Sequence, residues 1–161
     1  KFQHKEKFIP KIIISAINGQ DIPIYGNGKN IRDWLFVEDH VDAMIQIWDK
    51  GKIGETYCIG GKSERSNKFI VEYICKYLDK KMKKKEPHQN LIKHVKDRPG
   101  HDHRYAIDPR KIMENLNWSP RLSFEESINH TIEWYIKNEK WCRNCLKLSG
   151  YKGERIGIKN R

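Results

Sequence analysis

Val95-Lys-Asp-Arg-Pro-Gly-His-Asp-His-Arg-Tyr-Ala-Ile-Asp108 is the stretch on which the reading of this chain turns. Proline presets φ and glycine permits positive φ, so the Pro99-Gly100 step predicts a bend. Asp97, Arg98, His101 and Asp102 crowd around it. Arg98 brings a planar fork suited to phosphate, and His101 adds a second donor. The plainer reading is a surface ion pair of Arg98 with Asp97 or Asp102, which would mark no site. Because binding groups gather on loops held by strand ends, what decides between the two is the scaffold around the bend.

The chain has 161 residues, the length of one domain, and 37% of them are apolar. That share predicts a thin core. Lysine and arginine number 32 against 21 aspartates and glutamates, a net charge of +11. Such a balance favours anionic partners without choosing among nucleic acid, phosphorylated metabolites and membrane surfaces. No apolar run approaches the roughly 18 residues of a membrane span, and no charged-then-apolar leader is present, so a soluble chain is expected. The sequence starts at Lys1 and runs straight into a helical pattern, which suggests the carboxy-terminal piece of something longer. Among the cysteines, Cys58 in a strand pattern and Cys75 on a helix face read as packing. Cys142-Arg-Asn-Cys145 is a lone C-x-x-C after a long helix, without the second pair zinc needs or the preceding strand a redox site needs.

Taken in order, Lys7 to Gly19 reads as a helix with Pro10 at its first position and Ile13, Ile14 and Ile17 on one face. Ile22-Pro-Ile-Tyr25 is extended, and Gly26-Asn-Gly28 is a turn. Ile31 to Val37 reads as a strand whose end, Glu38-Asp39, opens a helix carrying Val41, Met44, Ile45 and Trp48 on its apolar face. Gly54 to Ile59 reads as another strand before Gly60-Gly61. Asn67 is an N-cap candidate for a helix bearing Ile70, Val71, Ile74, Cys75 and Leu78. The lysines from Lys80 to Lys85 close that helix, where they complement its dipole; without interleaved aromatics they make a weak nucleic-acid signal. A strand from Arg104 to Ile107 follows the bend. Asp108-Pro109 then reads as N-cap and first position of a short helix ending near Trp118. Ser123 and Glu126 have capping-box spacing ahead of Phe124, Ile128, Thr131, Ile132, Tyr135 and Ile136. Gly150 to Gly157 forms a glycine-spaced tail.

Strands alternating with helices argue for an α/β or α+β domain. No G-x-G-x-x-G and no P-loop is present, so the chain offers no dinucleotide or nucleoside-triphosphate cradle of its own. Tyr-x-x-x-Lys occurs at Tyr25/Lys29 and Tyr77/Lys81, neither beside such a cradle, and reads as coincidence in a lysine-rich sequence.

Six ordered blocks carry a resemblance: Gln3 with Glu6-Lys-Phe-Ile-Pro10, Ile24-Tyr-Gly-Asn-Gly28, Ile31-Arg-Asp-Trp34 with Val37-Glu-Asp-His40, Gly54-Glu-Thr-Tyr57 with Ile59-Gly-Gly61, Asp97 to Asp102 with Arg104 to Asp108, and Gly153-Glu-Arg155. Together they resemble the carboxy-terminal half of the dTDP-glucose 4,6-dehydratases, a family of extended short-chain dehydrogenases/reductases. The resemblance implies an α/β fold of Rossmann type, with residues 1–161 as a nucleotide-sugar-binding domain and the NAD-binding half absent. It implies an enzyme that oxidises C4 of dTDP-glucose with NAD, eliminates water across C5 and C6, and returns the hydride to C6. Cradle, Tyr/Lys pair, acid and base would all belong to the amino-terminal half, leaving no catalytic residue and no metal site here. A nucleotide sugar is the implied partner, the cytoplasm the implied location and a homodimer the implied full-length state.

By the same resemblance the present half grips the nucleotide. Lys7 and Phe8 would stand at the first helix, Pro23, Ile24 and Tyr25 along the base, and Arg32 and Arg98 on phosphate, with Asn67, His101 and Tyr151 completing the pocket. The chemistry agrees, since a diphosphate wants forked cations and a planar base wants a ring platform. Each residue also has an ordinary role: Lys7 a solvated charge, Arg32 a partner of Asp33 or Glu38, Asn67 only a cap, Tyr151 tail packing. His4 and Lys5 replace the usual aromatic and proline before Glu6-Lys7, and Cys142 follows Trp141 where an aromatic is common. Other readings are half of a related nucleotide-sugar epimerase, decarboxylase or dehydratase, and a basic nucleic-acid-binding module.

Overall fold

In the computed structural model, which describes residues 1–148, the elements follow the order α1 (Phe8–Asn18), β1 (Ile22–Tyr25), β2 (Ile31–Asp33), α2 (Val37–Lys50), β3 (Glu64–Ser66), α3 (Asn67–Lys81), a 3-10 turn (His88–Leu91), β4 (Ile92–Val95), α4 (Arg110–Leu116), α5 (Phe124–Lys137) and α6 (Glu139–Leu148). The strands form two small pairs, β1 parallel to β4 and β2 antiparallel to β3. The glycine-spaced tail, with Tyr151, lies outside the described residues.

The main apolar cluster lies where α1, α3 and α5 meet the inner face of β1. Ile13, Ile22, Ile70, Ile74, Leu78 and Ile132 are fully buried there. Cys75 belongs to the same cluster, and burial pushes its thiol up to about 12, so it packs as a small hydrophobe. Tyr73 Oη donates to Asn129 Oδ1 at 3.0 Å and Tyr77 Oη to Glu133 Oε1 at 2.9 Å, so polar contacts rim the α3–α5 seam. The expected capping box holds: the Glu126 amide donates to Ser123 Oγ at 3.2 Å, and the Ser123 amide to Glu126 Oε2 at 2.8 Å. A second, smaller cluster joins Ala43 of α2 to Ile112, Leu116 and Trp118.

Several expectations are corrected. The strand expected over Ile31 to Val37 stops at Asp33, because its antiparallel partner β3 begins only at Glu64, after the chain has turned through Gly61 to Ser63. The Asp33 carboxylate fixes that turn by accepting from the amides of Gly61 (2.6 Å) and Ser63 (2.7 Å). A Cβ on Gly61 would sit 2.5 Å from the Trp34 carbonyl, which explains the glycine. Gly54 to Ile59 is not a strand, and among the described residues no neighbouring strand reaches it. Arg104 to Ile107 contributes only a single parallel bridge, from Arg104 to Ile31. Cys58, expected to pack, is exposed.

Helix boundaries shift by one or two residues. Pro10 occupies the third helical position, still within the turn whose N–H groups lack helical partners. Ser66 rather than Asn67 caps α3, accepting from the Phe69 amide at 3.2 Å. Pro109 precedes α4 as its cap residue, and Asp108 braces the start from one position earlier by accepting from the Arg110 amide at 3.0 Å. The apolar face of α2 does not enter a core here: Val41, Met44, Ile45 and Trp48 are all exposed, Trp48 at 92%. Lys84 caps α1 rather than its own helix, its Nζ donating to the carbonyls of Ala16 at 3.0 Å and Ile17 at 3.2 Å. Strands β3 and β4 and helix α6, which carries Cys142 and Cys145, have no counterpart in the sequence patterns.

Candidate functional site

Side chains alternate along a strand, and β1 uses this to separate core from site. Ile22 and Ile24 point into the main cluster at 0% and 1% exposure, while Pro23 and Tyr25 face a cavity of about 260 Å³. The bend hangs over the end of that strand. The Gly26 amide donates to the Val95 carbonyl at 2.9 Å, and His94 Nδ1 lies 2.8 Å from the Gly26 carbonyl. Gly100 takes φ +64°, as the Pro-Gly step predicts. Asp97 braces the bend internally: its Oδ1 accepts from the Arg98 amide at 2.8 Å and lies 2.7 Å from His101 Nδ1. The hydrogen bond from His101 holds the Asp97 carboxyl below the usual carboxylate range.

Arg98 and His101 thereby reach the cavity from one side, and Arg32 from β2 and Asn67 from the first position of α3 reach it from the others. With the cap placed on Ser66, the Asn67 side chain is left to line the cavity. Arg32 is anchored by donating from Nη1 to its neighbour's carbonyl at Ile31 (2.6 Å) and from Nη2 to the Asp102 carbonyl (2.9 Å). Helix α1 supplies Phe8, Lys11 and Ile12, one turn apart on one face. The Phe8 ring lies 5.9 Å from that of Trp34 with the planes 30° apart. Three cations, Arg32, Arg98 and Lys11, thus share a cavity with Glu6 and with the rings of Phe8, Tyr25 and Trp34.

The structure gathers Phe8, Pro23, Tyr25, Arg32, Asn67, Arg98 and His101 of the predicted site. Ile24 does not join them, since the alternation of β1 buries it on the opposite face. Nor does Lys7 line the cavity; it is an exposed residue at the start of α1. Tyr151 lies outside the described residues. Glu6, Lys11, Ile12 and Trp34 line the cavity without having been predicted. Helical spacing from Phe8 would have found Lys11 and Ile12, and strand alternation from Arg32 would have found Trp34. A second cavity of about 340 Å³ lies between α1 and α5, with Trp34 as the wall common to both. Among the described residues no three His, Cys, Asp or Glu side chains gather as a metal site.

Forked cations facing ring platforms can hold an anionic group joined to a planar one, and solved structures carry the same fold. A dTDP-glucose 4,6-dehydratase from Bacillus anthracis, in complex with NAD, matches with TM-score 0.77 and 41% identity over 87% of this chain and 42% of its own. DesIV, a dTDP-glucose 4,6-dehydratase from Streptomyces venezuelae with NAD and TYD bound, matches with TM-score 0.78 and 34% identity over 87% of this chain and 41% of its own. The fold is therefore part of the Rossmann-type α/β fold of the extended short-chain dehydrogenases/reductases.

The chain belongs to the family described as GDP-mannose 4,6 dehydratase, which matches residues 2–131. It is similar to the dTDP-glucose 4,6-dehydratase of Escherichia coli, at 48% identity over 98% of this chain and 44% of the relative. The Neisseria meningitidis enzyme of that name shows 44% identity over 97% of this chain and 45% of its own length. The chain thus spans less than half the length of the curated relatives it matches.

Proposed function

We propose that this chain is the nucleotide-sugar-binding half of a dTDP-glucose 4,6-dehydratase. Joined to an amino-terminal half that holds NAD, it serves the conversion of dTDP-glucose to dTDP-4-keto-6-deoxyglucose by oxidation, elimination of water and reduction. Alone it is a binding domain without dehydratase activity. The observation that carries the reading is the convergence of Arg32 and Arg98 on one cavity walled by Phe8, Tyr25 and Trp34, in a chain similar along its length to dTDP-glucose 4,6-dehydratases. The two guanidinium groups take the diphosphate, the rings and Pro23 flank the base and sugar, and Asn67 and His101 add hydrogen bonds.

The exposed face of α2 supports the half-protein reading. Val41, Met44, Ile45, Trp48 and Ile53 form an apolar surface of the kind that marks an interface, and the strand-like stretch from Gly54 to Ile59 beside it lacks a sheet neighbour among the described residues. In the full-length enzyme this surface packs against the NAD-binding half, and the assembly is a cytoplasmic homodimer. None of the described helices is long and apolar enough to cross a membrane.

The test is a calorimetric titration of the chain with dTDP, UDP, GDP and duplex DNA at two salt concentrations. The reading expects dTDP to bind most tightly. Preference for GDP or UDP would move the chain to another nucleotide-sugar enzyme. Binding of DNA alone, falling steeply with salt, would replace the reading with a nucleic-acid module.

A further inference from the structure

We infer that Tyr105 is a positioning residue for the phosphate-binding arginine Arg32, its ring fixing the guanidinium plane and its hydroxyl occupying the Asp102 carboxylate. The inference rests on the proposed nucleotide-sugar reading and deepens it. Tyr105 does not line the cavity and belongs to neither apolar cluster; its side chain is half exposed. What it touches is the support of Arg32. The Arg32 Cζ lies 4.3 Å from the centre of the Tyr105 ring, a cation–π contact that restricts a long, otherwise mobile side chain. The Tyr105 amide donates to the Ile31 carbonyl at 3.0 Å, the same oxygen that accepts Arg32 Nη1. The Tyr105 hydroxyl donates to Asp102 Oδ2, while the Asp102 carbonyl accepts Arg32 Nη2. The contacts close a ring of Arg32, Ile31, Tyr105 and Asp102.

That ring solves an electrostatic problem. The Asp102 carboxylate feels both Arg32 and Arg98, and an acid free to pair with either would compete with an incoming phosphate. The Tyr105 hydroxyl engages its Oδ2 and anchors the carboxylate, which among the described residues forms an ion pair with neither guanidinium. Of the five N–H donors of Arg32, two serve the carbonyls of Ile31 and Asp102, and the others make no hydrogen bond among the described residues.

Two measurements test this on the full chain. The Arg32 Nε–Hε resonance is expected to carry a ring-current shift, retained in Tyr105→Phe and lost in Tyr105→Leu. Affinity for dTDP should fall about tenfold in Tyr105→Leu and about threefold in Tyr105→Phe, the scale of a partly exposed cation–π contact and a weak hydrogen bond. Adding Asp102→Asn to Tyr105→Phe should restore most of that threefold loss, an outcome that a merely structural hydroxyl would not produce. Equal dTDP affinity in wild type and Tyr105→Leu would overturn the positioning role and leave the nucleotide-sugar reading standing. An Arg32 resonance unmoved by Tyr105→Leu would overturn it on geometry alone. Failure of the wild-type chain to bind dTDP would sink the reading first and the positioning role with it.

Discussion

Arg98 from the Pro-Gly bend and Arg32 from β2 reach the same cavity from segments far apart in the sequence, and among the described residues only the Arg32 side chain of the two is hydrogen-bonded to its own protein. Among the described residues the Arg98 guanidinium makes no hydrogen bond, and its amide alone is engaged, to Asp97. Removing the Arg98 side chain therefore costs the fold little. Arg98→Ala should weaken dTDP binding by roughly 1.5–3 kcal/mol, the scale of a charge-assisted hydrogen bond, with an unchanged urea midpoint. Unchanged affinity would return Arg98 to the role of a surface charge.

Neighbouring residues of β1 should fail in opposite ways. Ile24 lies in the core and Tyr25 on the cavity. Ile24→Ala should lower unfolding free energy by about 2–5 kcal/mol, as expected for a cavity in a packed core. Tyr25→Ala should leave most of the stability in place and reduce dTDP affinity. Denaturation and titration of both variants would expose any error in the strand register, because a slip by one residue would exchange the two outcomes.

Gly28 combines a φ of +70° with a hypothetical Cβ only 2.8 Å from Ile24 Cγ2. Both the backbone and the space therefore select glycine. Gly28→Ala should destabilise the chain by roughly 1–3 kcal/mol from backbone strain, with further loss from displacement of Ile24. An alanine variant as stable as wild type in thermal melts would contradict the turn geometry.

Acid should loosen this domain through its hydrogen-bonded carboxylates. His101 holds Asp97 below the usual range, Tyr105 does so for Asp102, Arg104 for Glu64, and Lys81 together with Tyr77 for Glu133. A carboxyl with a depressed folded pKa stabilises the native state above its unfolded value, and that contribution is lost as pH falls through the folded value. The urea midpoint should thus stay level near neutrality and drop from about pH 4 downward, where unfolded carboxylates take up protons. Glu133→Gln, which removes the acid but keeps its volume, should make that drop shallower. A midpoint independent of pH through the acid range would rule out these native contacts.

Local patterns carried far in this chain, and they stopped at particular places. The rhythm of Ile70, Val71, Ile74, Cys75 and Leu78 found α3 and its buried face, and Ser123 with Glu126 marked the start of α5 by capping chemistry alone. The same kind of rhythm in α2 marked Val41, Met44, Ile45 and Trp48 as an apolar face, yet all four are exposed. Periodicity reports that a face is apolar and says nothing about what covers it. Strands suffered most, because a strand exists only with a neighbour. Ile92 to Val95 becomes β4 by pairing with β1, whereas Gly54 to Ile59, with the same share of apolar residues, has no such neighbour among the described residues.

What the sequence determined by itself was the chemistry on offer: a Pro-Gly bend bearing Arg98 and His101, a second arginine after a glycine turn, and helices with readable caps and faces. Those features follow from φ preferences and side-chain spacing, which act over a few residues. Tertiary structure alone decided that Arg32, Arg98, Asn67 and Tyr25 meet at one cavity, that Ile24 turns away from it, and that Lys11 and Trp34 join it. It also decided that Tyr105 lies against Arg32. Convergence of that kind is set by packing and strand pairing between distant segments, and no local stretch of sequence contains it.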